Sequence, residues 1–513
     1  MTMAASAPVH LGIDIGTSSC KVVAVDSGGN VLEVVTGDYP LYTDHHGWSE
    51  QDPEDWWQAT DRCVRDVVAK LPGRGSEVVA IGLSGQMHGL VALDERNRVL
   101  RRAILWNDQR CEQECVRITE AVGGMEAVID ATNNRLITGF TAGKIAWLRD
   151  HEPALFAQMT HVLNPKDFLR WRITGDFVTD VSEASGTGLF DVRHKVWSPA
   201  MVDAVGITAD MLPSVVESMA ATGTVCDAVA RNWNISQSAQ VYGGGGDAVI
   251  QTASMGVTRT GEIGVTLGTA GIIAAASDFC PDNKAGNVQV SCYNRPGYWH
   301  VMGVSLSAAG GLHWLAETLQ QLPGAEGLTF PALIDLAKAV PPGADGLLFL
   351  PYLAGERAPH YAPSATAAWV GLSRRHGLGH LVRSVIEGAL LNMKETLETF
   401  GDLGIRCDRI IASGGATRDP FWLQTMADIF GAPVVTMTGS SEGGAYGAAI
   451  VAGVGAGTWD SLDDALDGLA VSSSWTPDAA VSERYARVFA GHRKLFSHFG
   501  DIYHDVELAR CDD

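Results

Sequence analysis

Apolar positions near the start of the chain fall in short β-branched runs broken by small polar turns. Two such runs within residues 11–26 flank Gly16-Thr17-Ser18-Ser19, and a third, residues 31–35, follows Ser27-Gly28-Gly29-Asn30. This grammar predicts a three-stranded antiparallel meander. Further on, Asp52-Pro53 reads as an N-cap and first helical residue. Residues 78–83 read as a buried strand, and helical patterns cross 144–148 and 165–169. A strand at 239–242 runs into Gly243-Gly244-Gly245-Gly246-Asp247. Residues 409–413 form another strand, followed by Gly414-Gly415-Ala416 and a helix from Asp419-Pro420 to Gly431.

The opening pattern recurs. Gly268-Thr269-Ala270 sits between apolar runs as Gly16-Thr17-Ser18 does, 252 residues earlier. The offset is nearly half the chain and suggests two similar α/β domains, 1–255 and 256–513, with a boundary near 255–262. Asp14 of the first copy aligns with Thr266 of the second, so the carboxylate occurs once.

Composition narrows the class. With 46% apolar residues, the chain can bury large cores and is not globally disordered. A net charge of −22 argues against nucleic acid or an anionic membrane as partner. The nine cysteines show no disulfide or zinc spacing, and Cys111 and Cys115 read as a plain helical pair. The N-terminus lacks secretory features and no long apolar run appears. A reduced, cytoplasmic protein is expected, with a homodimer as the default assembly.

The 58 glycines bear on chemistry. Glycine turns expose backbone N–H groups that hold phosphate, which lets an acidic protein bind a polyphosphate together with Mg²⁺. A lone glycine turn is ordinarily just a turn; four together favour a nucleotide site. Gly243 to Ala248 also fits the dinucleotide-binding pattern, with Glu262 downstream, and supports a rival nicotinamide oxidoreductase. That rival is weak, because the acid should end a strand and Glu262 begins one. Asp14, placed mid-hairpin, calls for a cation or donors. Asp247 reads equally as a helix N-cap or as a base taking a hydroxyl proton, its ionised form favoured by the helix N-terminus. Gln86-Met87-His88 leaves a buried strand where α/β folds bind ligands, and suits sugar hydroxyls. Trp48 and Trp106, each beside polar residues, suit a sugar pocket too, although a half-buried Trp beside a cap is the blander account.

Two longer stretches carry a resemblance. One runs from Gly139-Phe140-Thr141-Ala142-Gly143-Lys144 through Trp147-Leu148 to Asp150-His151. The other runs from Ala367 through Trp369-Val370-Gly371-Leu372 and His380-Leu381 to Ser384-Val385-Ile386-Glu387. With Trp48 to Pro53, Ser84 to Gly89, Leu105 to Asp108 and Leu350 to Arg357, they resemble the FGGY family of carbohydrate kinases over about residues 10–500. The resemblance implies two ribonuclease-H-like (actin-like ATPase) domains with a cleft between them. It implies phosphoryl transfer from ATP to the terminal hydroxyl of a ketopentose, with D-xylulose expected. Another ketose or polyol, or a non-catalytic sensor on the same fold, is the alternative. Met87 and His88 are then the sugar contacts, with Gln86 beside them, and Asp247 the proton acceptor. Asp14 is associated with Mg²⁺-ATP. Gly16, Thr17, Ser18, Gly268 and Thr269 become phosphate loops, and Gly414, Gly415 and Ala416 the adenosine turn. Ala248 and Gln109 depart from the family pattern, as do Gly143, Ser19 and Ala270; the first two leave the exact sugar open.

Overall fold

The computed structural model describes residues 7–73, 75–325, 328–438 and 443–510. The predicted meander is present. Strands Val9–Ile15, Ser19–Asp26 and Val31–Asp38 pair antiparallel in succession. Val9–Ile15 then pairs in parallel with Val78–Gly85, which pairs with Gln240–Tyr242. The second sheet repeats the plan. Gly261–Leu267 and Gly271–Ser277 form its hairpin, Trp299–Ser305 is the third strand, and Cys407–Ser413 lies parallel to Gly261–Leu267. Val434–Met437 follows, and each sheet ends beyond its last parallel strand on one antiparallel strand. The second sheet adds an edge strand, Gln289–Cys292, and the first adds the short strand Gly245–Gly246 beside Val78–Gly85.

The repeat extends to side chains. Asp14 stands in register beside Ser84, and their counterparts Thr266 and Ser413 stand in register and share a hydroxyl contact of 3.1 Å. The local readings hold as well. Asp52 caps the helix Pro53–Lys70 by accepting from Glu54 N–H, and the helix Pro420–Phe430 ends at Gly431 in the left-handed region. Among the described residues no helix is long and apolar enough to cross a membrane, and the eight cysteines described are free; Cys511 lies outside them.

Two helices cross between the halves. Asp247–Ser254, first-half by sequence, packs Val249 and Ala253 against Ile411 and Val435 of the second sheet. Gly443–Gly455, second-half by sequence, lies on the first sheet, with Ala445 and Ala449 beside Val23 and Val25. Its backbone comes so near that a Cβ on Gly12 would stand 1.8 Å from Ala445 O, and one on Gly82 1.9 Å from Ala448 O. Glycine is required at these positions for close approach, not for a turn. The crossed helices also touch each other: a Cβ on Gly447 would meet Ile250 Cγ2 at 2.7 Å.

Gly82→Ala should therefore lower the unfolding free energy by about 3 kcal/mol. Gly401→Ala has nothing within 4 Å to meet and should be neutral or slightly stabilising. Urea denaturation of the two variants checks the contrast.

Candidate active site

The first hairpin turn is held from behind. Gly16 N–H donates to Ser19 O at 3.0 Å, and the Tyr39 hydroxyl donates to Gly16 O at 2.5 Å. Gln51 Nε2 donates to Thr17 O at 2.7 Å, and Trp106 Nε1 to Thr17 Oγ1 at 3.0 Å. The turn's oxygens are occupied, while the Thr17 and Ser18 N–H groups have no partner among the described residues. The second turn is built alike. Gly268 N–H donates to Ala270 O, while Ala308 and Gly310 N–H donate to Thr269 O. Gly268 and Thr269 share a cavity of about 590 Å³ with Gly415, Ala416, Phe330 and Trp422. The second predicted phosphate loop and the predicted adenosine turn thus meet around one apolar-walled space, which the first loop does not line. Gly414 has φ +96°, and a Cβ there would stand 2.5 Å from Leu267 O.

Gln86 is placed differently from its neighbours. It is 1% exposed and donates its amide to Gln51 Oε1 at 2.8 Å. Because Gln51 holds Thr17, Gln86 buttresses the first hairpin from inside. Met87 and His88 do line a cavity, together with Phe140, Gly186, Ala248 and Gln289. His88 sits at φ 73°, rare for a non-glycine residue. Thr141 Oγ1 and Lys144 Nζ each donate to His88 O at 3.1 Å and hold that strained backbone. Lys144 also donates to the carbonyls of Thr138, Gly139 and Phe140, so one buried cation gathers the loop. Burial lowers Lys144 to about 8 and His88 to about 3, so His88 is neutral. His88 Nδ1 lies 2.6 Å from Gly186 O. A carbonyl only accepts, so Nδ1 carries the proton and Nε2 is left as an acceptor.

Asp247 corrects two expectations. The N-cap is Gly246; Asp247 is the first helical residue, and its Oδ1 accepts from Ala248 N–H at 2.8 Å. The helix terminus does not keep its carboxyl acidic. Burial, then the negative charge of Asp14, raise Asp247 to about 7, outweighing the N–H groups of Ala248 and Met87. Asp14 is itself raised by burial, and its Oδ1 is enclosed without a hydrogen-bond partner. A Cβ on Gly444, at the start of the crossing helix, would stand 2.7 Å from Asp14 Cγ. The sequence-predicted carboxylates are thus brought into electrostatic reach. Among the described residues no group of three or more His, Cys, Asp or Glu side chains could hold a metal ion.

Behind Asp247 lies a network that sequence reading missed. Lys166, Asp167, Arg170, Asp180, Ser182 and Glu183 are all fully buried. Lys166 Nζ pairs with Asp167 at 2.5 Å and Asp180 at 3.0 Å. Arg170 donates to Tyr242 O at 2.8 Å and also to Gly243 O. Ser182 Oγ donates to Asp180 at 2.5 Å and accepts from Gly246 N–H at 3.1 Å. The glycine run is thereby held by its own carbonyls and amides. A Cβ on Gly245 would stand 2.4 Å from Asn294 Nδ2, and one on Gly246 2.4 Å from Met87 Sδ. A signal was available: Lys166 and Arg170 stand four apart on one helix, among Phe168, Leu169 and Ile173.

Other expectations resolve. Glu262 spends its carboxylate on Arg409 at 2.6 Å and Thr258 N–H at 3.1 Å, so it is not free for the ribose contact that dinucleotide binding requires. Trp48 is structural, with Arg110 Cζ 3.5 Å over its ring, whereas Trp106 reaches the hairpin. Ala248 lines the cavity; Gln109 is exposed and bonded to Thr138. Gly143 is explained by Cys111 and Cys115, whose sulfurs a Cβ there would meet at 2.9 and 2.6 Å.

The N-terminal domain of the FGGY family of carbohydrate kinases matches residues 9–255, and its C-terminal domain residues 265–456. The chain is 38% identical to a xylulose kinase of Escherichia coli K12, over 93% of this chain and 96% of that one. It is 34% identical to a xylulose kinase of Bacillus subtilis, over 96% and 97%. The crystal structure of a xylulose kinase from Rhodospirillum rubrum superposes with a TM-score of 0.90 at 29% identity, over 97% and 100%.

Lys166→Met should cost about 3–5 kcal/mol of stability, because it strands two buried carboxylates. Lys338→Met, which breaks a 3.2 Å pair at an exposed lysine, should change stability by less than about 0.5 kcal/mol. Urea titration of both variants measures the difference.

Proposed function

The chain belongs to the FGGY family of carbohydrate kinases, and from that premise we propose that it phosphorylates D-xylulose with ATP, giving D-xylulose 5-phosphate. The observation that carries the chemistry is Asp247, a half-buried carboxylate raised to about 7 beside a cavity lined by Met87 and His88. A carboxylate of that basicity takes a hydroxyl proton at neutral pH more readily than an exposed one. The acceptor assignment is supported by relatives of matching length that are named xylulose kinases.

In this reading His88 Nε2 accepts from a sugar hydroxyl, and the buried Lys144 keeps its loop in place. The sugar's terminal hydroxyl points at Asp247, which receives its proton as the oxygen attacks the γ-phosphorus. The bond from γ-phosphorus to the bridging oxygen breaks, and ADP leaves with that electron pair. Free N–H groups of Thr17, Ser18 and Thr269 receive the phosphates, and Gly414, Gly415 and Ala416 border the adenosine. Gln86 acts through Gln51 on the first loop, not on the sugar. Asp14, with an oxygen enclosed and unpartnered, suits the Mg²⁺ of Mg²⁺-ATP directly or through water. When bound, that ion would neutralise phosphate charge. Ala248 in the cavity wall favours a second reading within the class, another ketose or a polyol as acceptor. Turnover across a sugar panel, followed as ADP release, decides between the two.

Asp247→Asn should lower kcat by about 10²- to 10⁴-fold. In the parent enzyme kcat/KM should rise with pH through about 7, as Asp247 ionises. Stability carries the opposite sign. Between about pH 4 and 7 the folded chain keeps a proton that the unfolded chain has released, so Asp247's contribution falls as pH rises. Asp247→Asn should thus melt no lower than the parent at pH 7.5. Near-normal turnover in the folded variant, or a flat profile from about pH 5.5 to 8.5, contradicts the base assignment.

A further inference from the structure

The sequence motif Gly355-Glu356-Arg357 has no part in the reaction above, yet its arginine lines a cavity between the halves. That cavity is bounded by Asn134 and Arg135 from the first half, and by Asn287, Gln289, Arg357 and Tyr361 from the second. It adjoins the sugar cavity, because Asn134, Gln289 and Met302 line both.

In a chain of net charge −22, this cavity presents two guanidinium groups and no carboxylate to balance them. Glu356 is adjacent in sequence but fully engaged elsewhere. Its Oε1 accepts from Leu306 N–H at 2.9 Å and from the backbone N–H of Arg357 at 2.8 Å. Its Oε2 accepts from Ser305 Oγ at 2.9 Å and Asn392 Nδ2 at 2.7 Å. Arg135 Nε is enclosed without an acceptor, and its guanidinium lies 4.8 Å over the ring of Tyr361. Neither arginine is ion-paired among the described residues. An enclosed guanidinium nitrogen without an acceptor is unfavourable unless a ligand supplies one. The positive charge of Arg357 also reaches His88, which lines the sugar cavity. Asn134 fixes the junction, exchanging hydrogen bonds of 2.7 and 2.8 Å with Val290 of the second half.

We propose that Arg135 and Arg357 form a carboxylate-binding subsite adjoining the sugar cavity, taking a short polyhydroxy acid as ligand. Planar guanidinium forks match a carboxylate, and charge assistance strengthens each bond. One fork comes from each half, so such a ligand bridges the halves and competes with the neutral sugar. The proposal rests on the sugar cavity assigned above.

The test is calorimetric titration of the full chain, without nucleotide, with D-xylonate and with xylitol, a neutral polyol of equal length. D-xylonate should bind at least about tenfold more tightly than xylitol. Arg357→Gln and Arg135→Gln should each reduce that ratio, and the double variant should bring it to about one. Arg357→Lys, which keeps charge but not the fork, should retain part of it. Equal affinities in the parent chain, or a ratio unchanged in the double variant, would overturn the subsite. Because no turnover is measured, failure here is separate from failure to phosphorylate D-xylulose.

Discussion

Two carboxylates held in a place too dry to screen them are the constraint on which the rest depends. Asp14 and Asp247 each lose water, and Asp247 feels the charge of Asp14. Left free, such groups would separate or turn to solvent. Here neither can. Asp14 is fixed in the central strand of the first sheet, under the start of the crossing helix Gly443–Gly455. Asp247 is fixed by a glycine run whose carbonyls and amides are already bound. The fold therefore bears an unfavourable interaction so that a carboxyl can titrate near neutrality.

The cations near the site serve that confinement. Lys144, Lys166 and Arg170 are buried to the last atom and spend much of their bonding capacity on main-chain carbonyls and buried carboxylates. Buried ion pairs add little net stability, since desolvation offsets attraction. Their value here is geometric, because they fix backbone that lacks side chains of its own. Glycine makes this possible twice over. It lets the crossing helix approach the sheet through Gly12 and Gly82, and it leaves room for Met87 and Asn294 beside Gly246 and Gly245.

Much of this was legible in local sequence. Hairpins, caps and helix ends depend on neighbouring residues, so Gly16-Thr17, Asp52-Pro53 and Gly431 could be read directly. The duplication was visible at Gly268 and extends to paired strands and to Thr266 beside Ser413. Long-range features were hidden. The exchange of helices between sheets has no local signature beyond unusual glycines. The network at Lys166 depends on which helix face is buried, and the bond from the Gln86 amide to Gln51 joins residues far apart in sequence. The acidity expected of Asp247 followed from its helix terminus, a local effect. Burial and Asp14, which are not local, reverse it.

The most direct measurement is the pH titration of the Asp247 carboxyl itself, by its ¹³C resonance in selectively labelled protein, assigned by its loss in Asp247→Asn. The midpoint should lie at about 7 in the parent. In Asp14→Asn, which removes the neighbouring charge but not the burial, it should fall clearly yet stay above the usual ~3.9 of an aspartate. A parent midpoint near ~4, or one that Asp14→Asn leaves unmoved, would contradict the account.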